Sequence, residues 1–260
     1  MKSVAIIVEA RMTSRRLKMK HLQELGGKPM IVQLLSRLAR SRLASEICLA
    51  TSNDKSDDIL EDIASECGVN CFRGSLNDVL SRVNDAVKQC GTDLVVEITG
   101  DCPLSDPFLV DDAINIFNEY KFDYLANILD RLTFPAGFDL QIYGKDLLEE
   151  VERKATSDYD RENVTSYIYR NDDKYNLANL CAPAKLHRPQ YWLCVDTQED
   201  LDLIRKIWDN VSAKINGPSI GDIIAYLDRE QHIINNTFPG IFQFPKTKNG
   251  KITFIQSELT

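Results

Sequence analysis

The sequence predicts an α/β protein with a mostly parallel sheet covered on both faces, and three observations carry that reading. Short apolar runs alternate with amphipathic stretches of helical period over residues 4–99. The apolar runs are near-continuous rather than alternating, as in strands buried on both sides. Successive runs are separated by segments long enough for a crossover helix, which parallel neighbours require.

The elements follow in order. Residues 4–8, Val-Ala-Ile-Ile-Val, form a first buried strand. Residues 29–40 place apolar side chains at 31, 34, 35 and 38, a helical stripe, and Pro29 suits a first turn. Residues 46–51 read as a second strand. Ser52, Asn53 and Asp54 then offer a cap for a helix to Cys67, with Ile59, Leu60, Ile63 and Ala64 inward and Gly68 as its stop. Residues 69–72 are a short third strand. Residues 76–90 form a helix that turns Val79, Leu80, Val83 and Val87 inward and ends at Gly91, and residues 93–99 supply a fourth strand. Asp106 caps a helix that starts at Pro107. A late apolar run, residues 191–195, reads as a strand feeding a helix to Trp208.

At 260 residues and 43% hydrophobic content, the chain can bury one sizeable core. No apolar run approaches the roughly 20 residues of a membrane span, and the start lacks the layout of a signal peptide, so a cytoplasmic protein without a membrane partner is expected. The seven cysteines, at 48, 67, 71, 90, 102, 181 and 194, contain no C-x-x-C pair. They suggest neither a disulfide framework nor a zinc site, but mostly buried, reduced thiols. His21, His187 and His232 are the only histidines, too few for a histidine-based metal site or triad to be expected.

Charge is distributed unevenly. The chain has 31 Lys and Arg against 39 Asp and Glu, a net charge of −8, yet five of the ten residues from 11 to 20 are basic. A basic run is ordinarily a solvated face or a nucleic-acid patch. The acidity of the remainder would repel a phosphate backbone everywhere else, so no nucleic-acid partner is expected. This run follows directly on the first strand, whose carboxyl end is where an open α/β sheet receives anions, and polyphosphate fits it. Neither G-x-x-x-x-G-K-[ST] nor G-x-G-x-x-G occurs there.

The fourth strand ends in Thr99-Gly100-Asp101-Cys102-Pro103-Leu104. A carboxylate so placed can hold a divalent cation against phosphates, because Mg²⁺ takes one or two carboxylates and leaves its other positions to water and substrate. Asp196, after the late run, is a second candidate. By capping logic alone it is structural, since Asp-Thr followed by Glu-Asp starts helices well. Asp78 is open both to facing a nucleotide and to capping the third helix.

These residues carry a resemblance. Ala10-Arg11-Met12-Thr13-Ser14-Arg15-Arg16-Leu17 with Lys20, then Leu25-Gly26-Gly27-Lys28-Pro29-Met30, resembles the opening of the spore-coat-polysaccharide type of cytidylyltransferase. That family stands with the enzymes that make CMP-sialic acid and CMP-3-deoxy-manno-octulosonate. Its opening is close to A-R-M-G-S-T-R-L-P-G-K; here Thr13 stands for the first glycine, Arg15 for the threonine, Lys18 for the proline and Met19 for the second glycine. Residues 99–104 match T-G-D-C-P-L throughout, and residues 195–201 match V-D-T-x-E-D-L, whose aspartate is the family's second metal ligand. Residues 72–80 are similar to F-R-G-S-x-x-D-V-L, and residues 50–52 to A-T-S. Residues 134–142 resemble Y-P-x-G-L-D-x-E-V with Gln141 for Glu, and residues 160–165 resemble D-R-E-H-V-T with Asn163 for His.

The resemblance covers roughly residues 3–208 and implies a three-layer, Rossmann-like nucleotidyltransferase fold. It further implies transfer of CMP from CTP to a sugar or sugar acid for surface glycan synthesis, release of pyrophosphate, Mg²⁺ held by Asp101 and Asp196, and a homodimer. Spacing and charge by themselves give only a nucleoside triphosphate and a metal. Catalysis is expected from Arg11, Arg16, Lys20, Asp101 and Asp196. Nucleotide contacts are expected from Ala10, Arg11, Ser14, Arg15, Arg16, Lys20, Thr51, Arg73, Asp78 and Asp101, with Lys28 in reach of the phosphates. Acceptor contacts are expected from Asp139, Gln141, Arg161, Glu162 and Arg188.

Residues 1–230 then form the nucleotidyltransferase domain, with an acceptor and dimerisation subregion over 120–190. Its aromatic residues from Tyr120 to Tyr143 exceed what a lone domain is expected to bury. Residues 231–260, with Phe238, Phe242, Phe244 and Phe254, form an extension that adds a strand or meets a partner. Two rival functions stand beside this one. A glycosyltransferase with a nucleotide-sugar donor would end its fourth strand in D-x-D, where this chain has Gly-Asp-Cys; Asp158-Tyr159-Asp160 lies in a helical region. A non-catalytic nucleotide-binding subunit is motivated by Thr13, Met19, Gln141 and Asn163.

Overall fold

Successive side chains of strand β1 (Val4–Glu9) enter two different cores, which makes the protein three-layered. Val4, Ile6 and Val8 join one apolar cluster and Ala5 and Ile7 the other, as the strand's period of two requires. The computed structural model describes residues 2–14, 16–211, 217–234 and 245–259.

After β1 and the basic loop comes a hairpin, β2 (Glu24–Leu25) with β3 (Lys28–Pro29), whose Gly26 and Gly27 both have positive φ. Helix α1 (Met30–Leu38) follows, with Pro29 at its cap. Then come β4 (Glu46–Ser52), α2 (Asp58–Cys67), β5 (Asn70–Gly74), α3 (Val79–Cys90) and β6 (Leu94–Thr99). Gly68 and Gly91 end α2 and α3 in the left-handed conformation that their place in the sequence predicts. Helix α4 (Pro107–Tyr120) is capped by Asp106, which accepts from the Phe108 N–H at 2.8 Å. The second half holds β7 (Tyr124–Ala126), β8 (Gln141–Gly144), α5 (Lys145–Lys154), α6 (Asp158–Glu162), α7 (Ser166–Tyr169), β9 (Leu177–Cys181), α8 (Gln198–Val211), α9 (Ile220–Arg229) and β10 (Thr253–Gln256).

The main sheet has eight strands in the order β10-β9-β7-β8-β6-β1-β4-β5. Its pairings are parallel except at β8, which runs antiparallel to both β6 and β7. Buried residues of α1, α2, α4, α8 and α9 cover one face, and those of α3, α5 and α7 the other.

Three expectations change, and one left open is decided. Ile59 is exposed, because α2 begins at Asp58 and turns the stripe of Leu60, Ile63 and Ala64 inward instead. Residues 191–195 are buried and extended but are not a strand of the sheet: β8 already occupies the edge of β6. They run past the sheet's carboxyl edge, bridging Trp192 to Ala136 and donating the Val195 N–H to the Asp101 carbonyl at 2.9 Å. The aromatic residues Phe122, Tyr124, Phe134, Phe138 and Tyr143 are buried within the chain, so only Tyr120 of that group remains for a partner surface. Part of the extension completes the sheet, as β10 pairs with β9 and Ser257 Oγ donates to Asp112 at 2.6 Å; Phe238, Phe242 and Phe244 lie outside the described residues.

The segment before Asp196 rests on Gly137. Its φ is +101°, and a Cβ there would stand 2.6 Å from the Leu193 carbonyl carbon and 3.0 Å from the Cys194 nitrogen. Both are backbone atoms, so nothing flexible can give way. We expect Gly137→Ala to destabilise the protein by about 1–3 kcal/mol, measured as a fall in the urea midpoint with an unchanged denaturant slope.

Candidate active site

The strand order reverses at β1, with β4 on one side and β6 on the other. Glu9 pairs with Thr99 in register, so the basic loop and the loop of residues 100–106 leave the sheet side by side. They are in backbone contact. The Gly100 N–H donates to the Glu9 carbonyl at 2.8 Å, and a Cβ on Gly100 would lie 2.8 Å from that same oxygen. Only glycine lets the two loops approach this closely.

The approach places Lys20 between the two predicted carboxylates. Its Nζ, at the end of a buried side chain, donates to Asp101 Oδ2 at 3.0 Å, to Asp196 Oδ1 at 3.3 Å and to the Val195 carbonyl at 3.2 Å. Arg16, largely exposed, reaches Asp196 Oδ1 at 2.7 Å from the solvent side. Burial alone would lower the Lys20 pKa, but the Asp101 and Asp196 carboxylates hold it above its ordinary value and keep it a cation. Burial would likewise raise Asp101, yet the Lys20 ammonium draws it below the usual carboxylate value.

Asp196 is not a helix cap. The start of α8 is closed by Asp200, which accepts from the Asp196 N–H at 3.0 Å and the Thr197 N–H at 2.8 Å, while Thr197 Oγ1 accepts from the Asp200 N–H at 3.3 Å. The Asp196 carboxylate is thereby left to Arg16 and Lys20. Two oxygen donors converging on one cation suit a hard divalent metal, and Asp101 and Asp196 are the residues that would hold it.

A carboxylate without notice in the sequence reading anchors the basic loop. Asp57 is fully buried and accepts from the Met12 N–H at 2.7 Å, the Ser52 N–H at 3.1 Å, the Ser52 hydroxyl at 2.5 Å and the Thr51 hydroxyl at 3.1 Å. Thr51 therefore acts on the loop through Asp57. Arg11 is half-exposed, donating to the Leu76 carbonyl at 3.3 Å with Glu162 at 3.9 Å. Ala10 is buried at the loop's root, Ser14 lies along it, and Arg15 lies outside the described residues.

Four expected substrate contacts are engaged as braces. Arg73 binds the Ser52 and Asp54 carbonyls and pairs with Asp58 at 2.7 Å and Glu61 at 3.0 Å, fixing the turn after β4. Asp78 caps α3 through the Ser81 N–H and receives Arg161 at 2.9 and 2.5 Å. Arg161 also bonds the Glu152 carbonyl, tying α6 to α3 and α5. Arg188 is held by Asp228 of α9, which takes the Tyr191 hydroxyl as well, so it ties the segment before Asp196 to that helix.

Under the site, on the α3 side, lies a polar network that the sequence reading also missed. Gln141 Nε2 donates to Glu97 at 3.0 Å, while its oxygen accepts from Tyr124 at 2.6 Å and Thr165 at 2.5 Å. The Tyr143 hydroxyl donates to the other Glu97 oxygen. Burial, and then the neighbouring Glu9 carboxylate, push Glu97 well above the usual range, and burial raises Glu9 too. A glutamate at 141 would add a third carboxylate and lose the donor; the amide matches its surroundings. The signal was available in the unpaired charge of Glu97 within an apolar strand. Asn163 is exposed and folds its amide back onto the Tyr159 carbonyl at 2.9 Å.

The cytidylyltransferase family model matches residues 5–231. The chain belongs to the cytidylyltransferase family. This cytidylyltransferase is 35% identical over 234 residues to an uncharacterized protein of Methanocaldococcus jannaschii, a match that covers 88% of this chain and 92% of the relative. It is 31% identical to the spore coat polysaccharide biosynthesis protein SpsF of Bacillus subtilis, covering 88% of this chain and 95% of the other. Among solved structures, a cytidylyltransferase from Leptospira borgpetersenii superposes with a TM-score of 0.84 at 30% identity, covering 94% of this chain and 100% of that one. The fold also matches a CMP:2-keto-3-deoxy-manno-octonic acid synthetase complexed with CTP, at a TM-score of 0.58 and 15% identity over 80% of this chain and 99% of that one.

Two residues beside Lys20 test how the cytidylyltransferase loop is held. Met19 has φ 53° and ψ 34°, the left-handed conformation in which the family motif has glycine. The turn is kept despite the side chain, at a cost of roughly 1–2 kcal/mol. We expect Met19→Gly to recover about 1 kcal/mol in thermal or denaturant melts.

His21 is buried, and burial, then the Lys20 ammonium, lower its pKa to about 4. The unfolded chain protonates this group near its ordinary value of 6.5, so unfolding takes up a proton and stability falls as pH drops from 6.5 towards 4. Across that window, wild type should lose on the order of 3 kcal/mol relative to His21→Gln. Paired urea melts at several pH values measure the difference, in which contributions common to both proteins cancel.

Proposed function

We propose that this cytidylyltransferase transfers CMP from CTP to a hydroxyl of a sugar or sugar acid, releases pyrophosphate, and serves the synthesis of a surface polysaccharide. The observation that carries this reading is the cluster of Lys20, Arg16, Asp101 and Asp196 at the reversal point of the sheet, in a chain of this family. The relatives support the acceptor class. One is a spore coat polysaccharide biosynthesis protein, and another, 37% identical over 117 residues, is a 3-deoxy-manno-octulosonate cytidylyltransferase of Chlorobaculum parvum.

Arg16, exposed and facing solvent, meets the incoming triphosphate first; Lys20 lies deeper, against the carboxylates. Together with Arg11 they neutralise charge on the departing pyrophosphate, the principal contribution a protein makes to such a transfer. Mg²⁺, held by Asp101 and Asp196, would supply further charge neutralisation and align the phosphates. On the acceptor side, burial and then the Asp101 charge push Asp139 up to about 7, which lets its carboxyl hold or take a proton from the attacking hydroxyl near neutral pH.

The test is pyrophosphate release from each of the four ribonucleoside triphosphates, with Mg²⁺ and a panel of sugars and sugar acids. We expect activity with CTP and one acceptor class, reduced by about 100-fold or more in Asp101→Asn and Asp196→Asn. Asp196→Asn should melt close to wild type, because Asp200 and Thr197 close α8 without its carboxylate. Full activity in Asp196→Asn, or no pyrophosphate with any pair of substrates, would overturn the reading.

A further inference from the structure

Beside the oxygen pair lies a second cluster of different chemistry. Cys102 follows Asp101 directly, and Cys194 precedes Asp196 by two residues. Their Sγ atoms are 3.8 Å apart, and Cys194 Sγ is 4.0 Å from Asp139 Oδ2. The three ligating atoms lie within 4.8 Å of one another.

These separations fit one small ion. Two sulfurs bound at about 2.3 Å to a tetrahedral centre stand about 3.8 Å apart, and a carboxylate oxygen completes the face at roughly 3.6 Å from each sulfur. The donors are also held in place. Asp139 Oδ1 accepts from the Gly137 N–H at 3.3 Å, which leaves Oδ2 for the sulfurs, and Gly137 is itself pressed against the backbone of residues 193–194. Thr99 Oγ1 lies 3.4 Å from Cys102 Sγ on its other side. Leu132, Ala136 and Trp192 wall the sulfurs, both buried, while Asp139 is half-buried and forms the open side.

We propose that Cys102, Cys194 and Asp139 form a binding site for a thiophilic divalent cation of the zinc class. Two thiolates and one carboxylate select such an ion over Mg²⁺, which prefers an all-oxygen shell. The protein supplies three ligands and leaves a fourth position for water or for Asp101, whose Oδ1 is 3.6 Å from Cys102 Sγ. The site adjoins that of the proposed transfer reaction, with Asp139 a member of both and Asp101 at their border, and its test requires no turnover.

The experiment is a Co²⁺ titration of chelator-stripped full-length protein, kept reduced with a phosphine and held in excess Mg²⁺. A near-ultraviolet sulfur-to-cobalt charge-transfer band should appear with about one equivalent and vanish on adding Zn²⁺. Cys194→Ser and Cys102→Ser should abolish the band, and Asp139→Asn should keep a sulfur band while weakening Co²⁺ by about tenfold or more. Cys90→Ser should leave both band and affinity unchanged. Circular dichroism checks folding, and Cys194→Ser decides if Cys102→Ser does not fold. No band in folded wild type, a band that persists in folded Cys194→Ser, or a band lost in folded Cys90→Ser would overturn the assignment.

Discussion

One ammonium group holds together what the sheet brings close. Asp101 arrives from the end of β6 and Asp196 from a segment that crosses the same edge, and Lys20 donates to both. Without a cation between them, two carboxylates in a poorly solvated cleft would repel each other, and each would carry the desolvation cost of an unpaired charge. The constraint explains the surroundings. Met19 keeps a left-handed turn so that Lys20 points inward, Gly100 lets the loops touch, and Asp200 takes over the cap of α8 so that Asp196 stays available. The site is thus held by opposite charges already in place, and a second cation joining the carboxylates must share them with Lys20.

Much of the fold was legible because its strands are buried on both faces and its helices carry strong punctuation. Gly68, Gly91 and Asp106 ended or began helices where the pattern placed them. Residues 191–195 read as a strand because five consecutive buried residues look the same in a sheet and in an extended run packed across its edge. Only knowing that β8 pairs with β6 separates the two cases, and that pairing joins residues 94–97 to 141–144. The aromatic residues from 120 to 143 misled for a related reason: hydrophobicity says that a side chain will be covered, not by what.

The site was legible where chemistry and position coincided. Lys20, Arg16, Asp101 and Asp196 converge because each belongs to a motif at the sheet's carboxyl edge. Arg73, Asp78, Arg161 and Arg188 belong to motifs too, but their charges are satisfied within the protein. A sequence shows that an arginine is present and not which acid is nearer than the substrate. Asp57 was hidden in the opposite way, an acid of no evident motif that joins its own turn to the distant basic loop, and Glu97 showed only a charge within an apolar strand and not its partners. The two sulfurs beside the site were invisible for the same cause, since their cysteines are 92 positions apart.

The strand β10 gives this architecture a particular order of completion. It pairs in parallel with β9, register Gln256 to Cys181, while Asp130 and Asp172 take backbone N–H groups of Thr247, Asn249 and Lys251. As the chain leaves the ribosome, β9 can join β7 long before β10 exists. During that interval the apolar edge Leu177–Cys181 has a row of unpaired amides and carbonyls, the kind of surface on which nascent chains aggregate. Synthesis of the stretch from residue 181 to residue 256 therefore sets how long that edge of the sheet stays open.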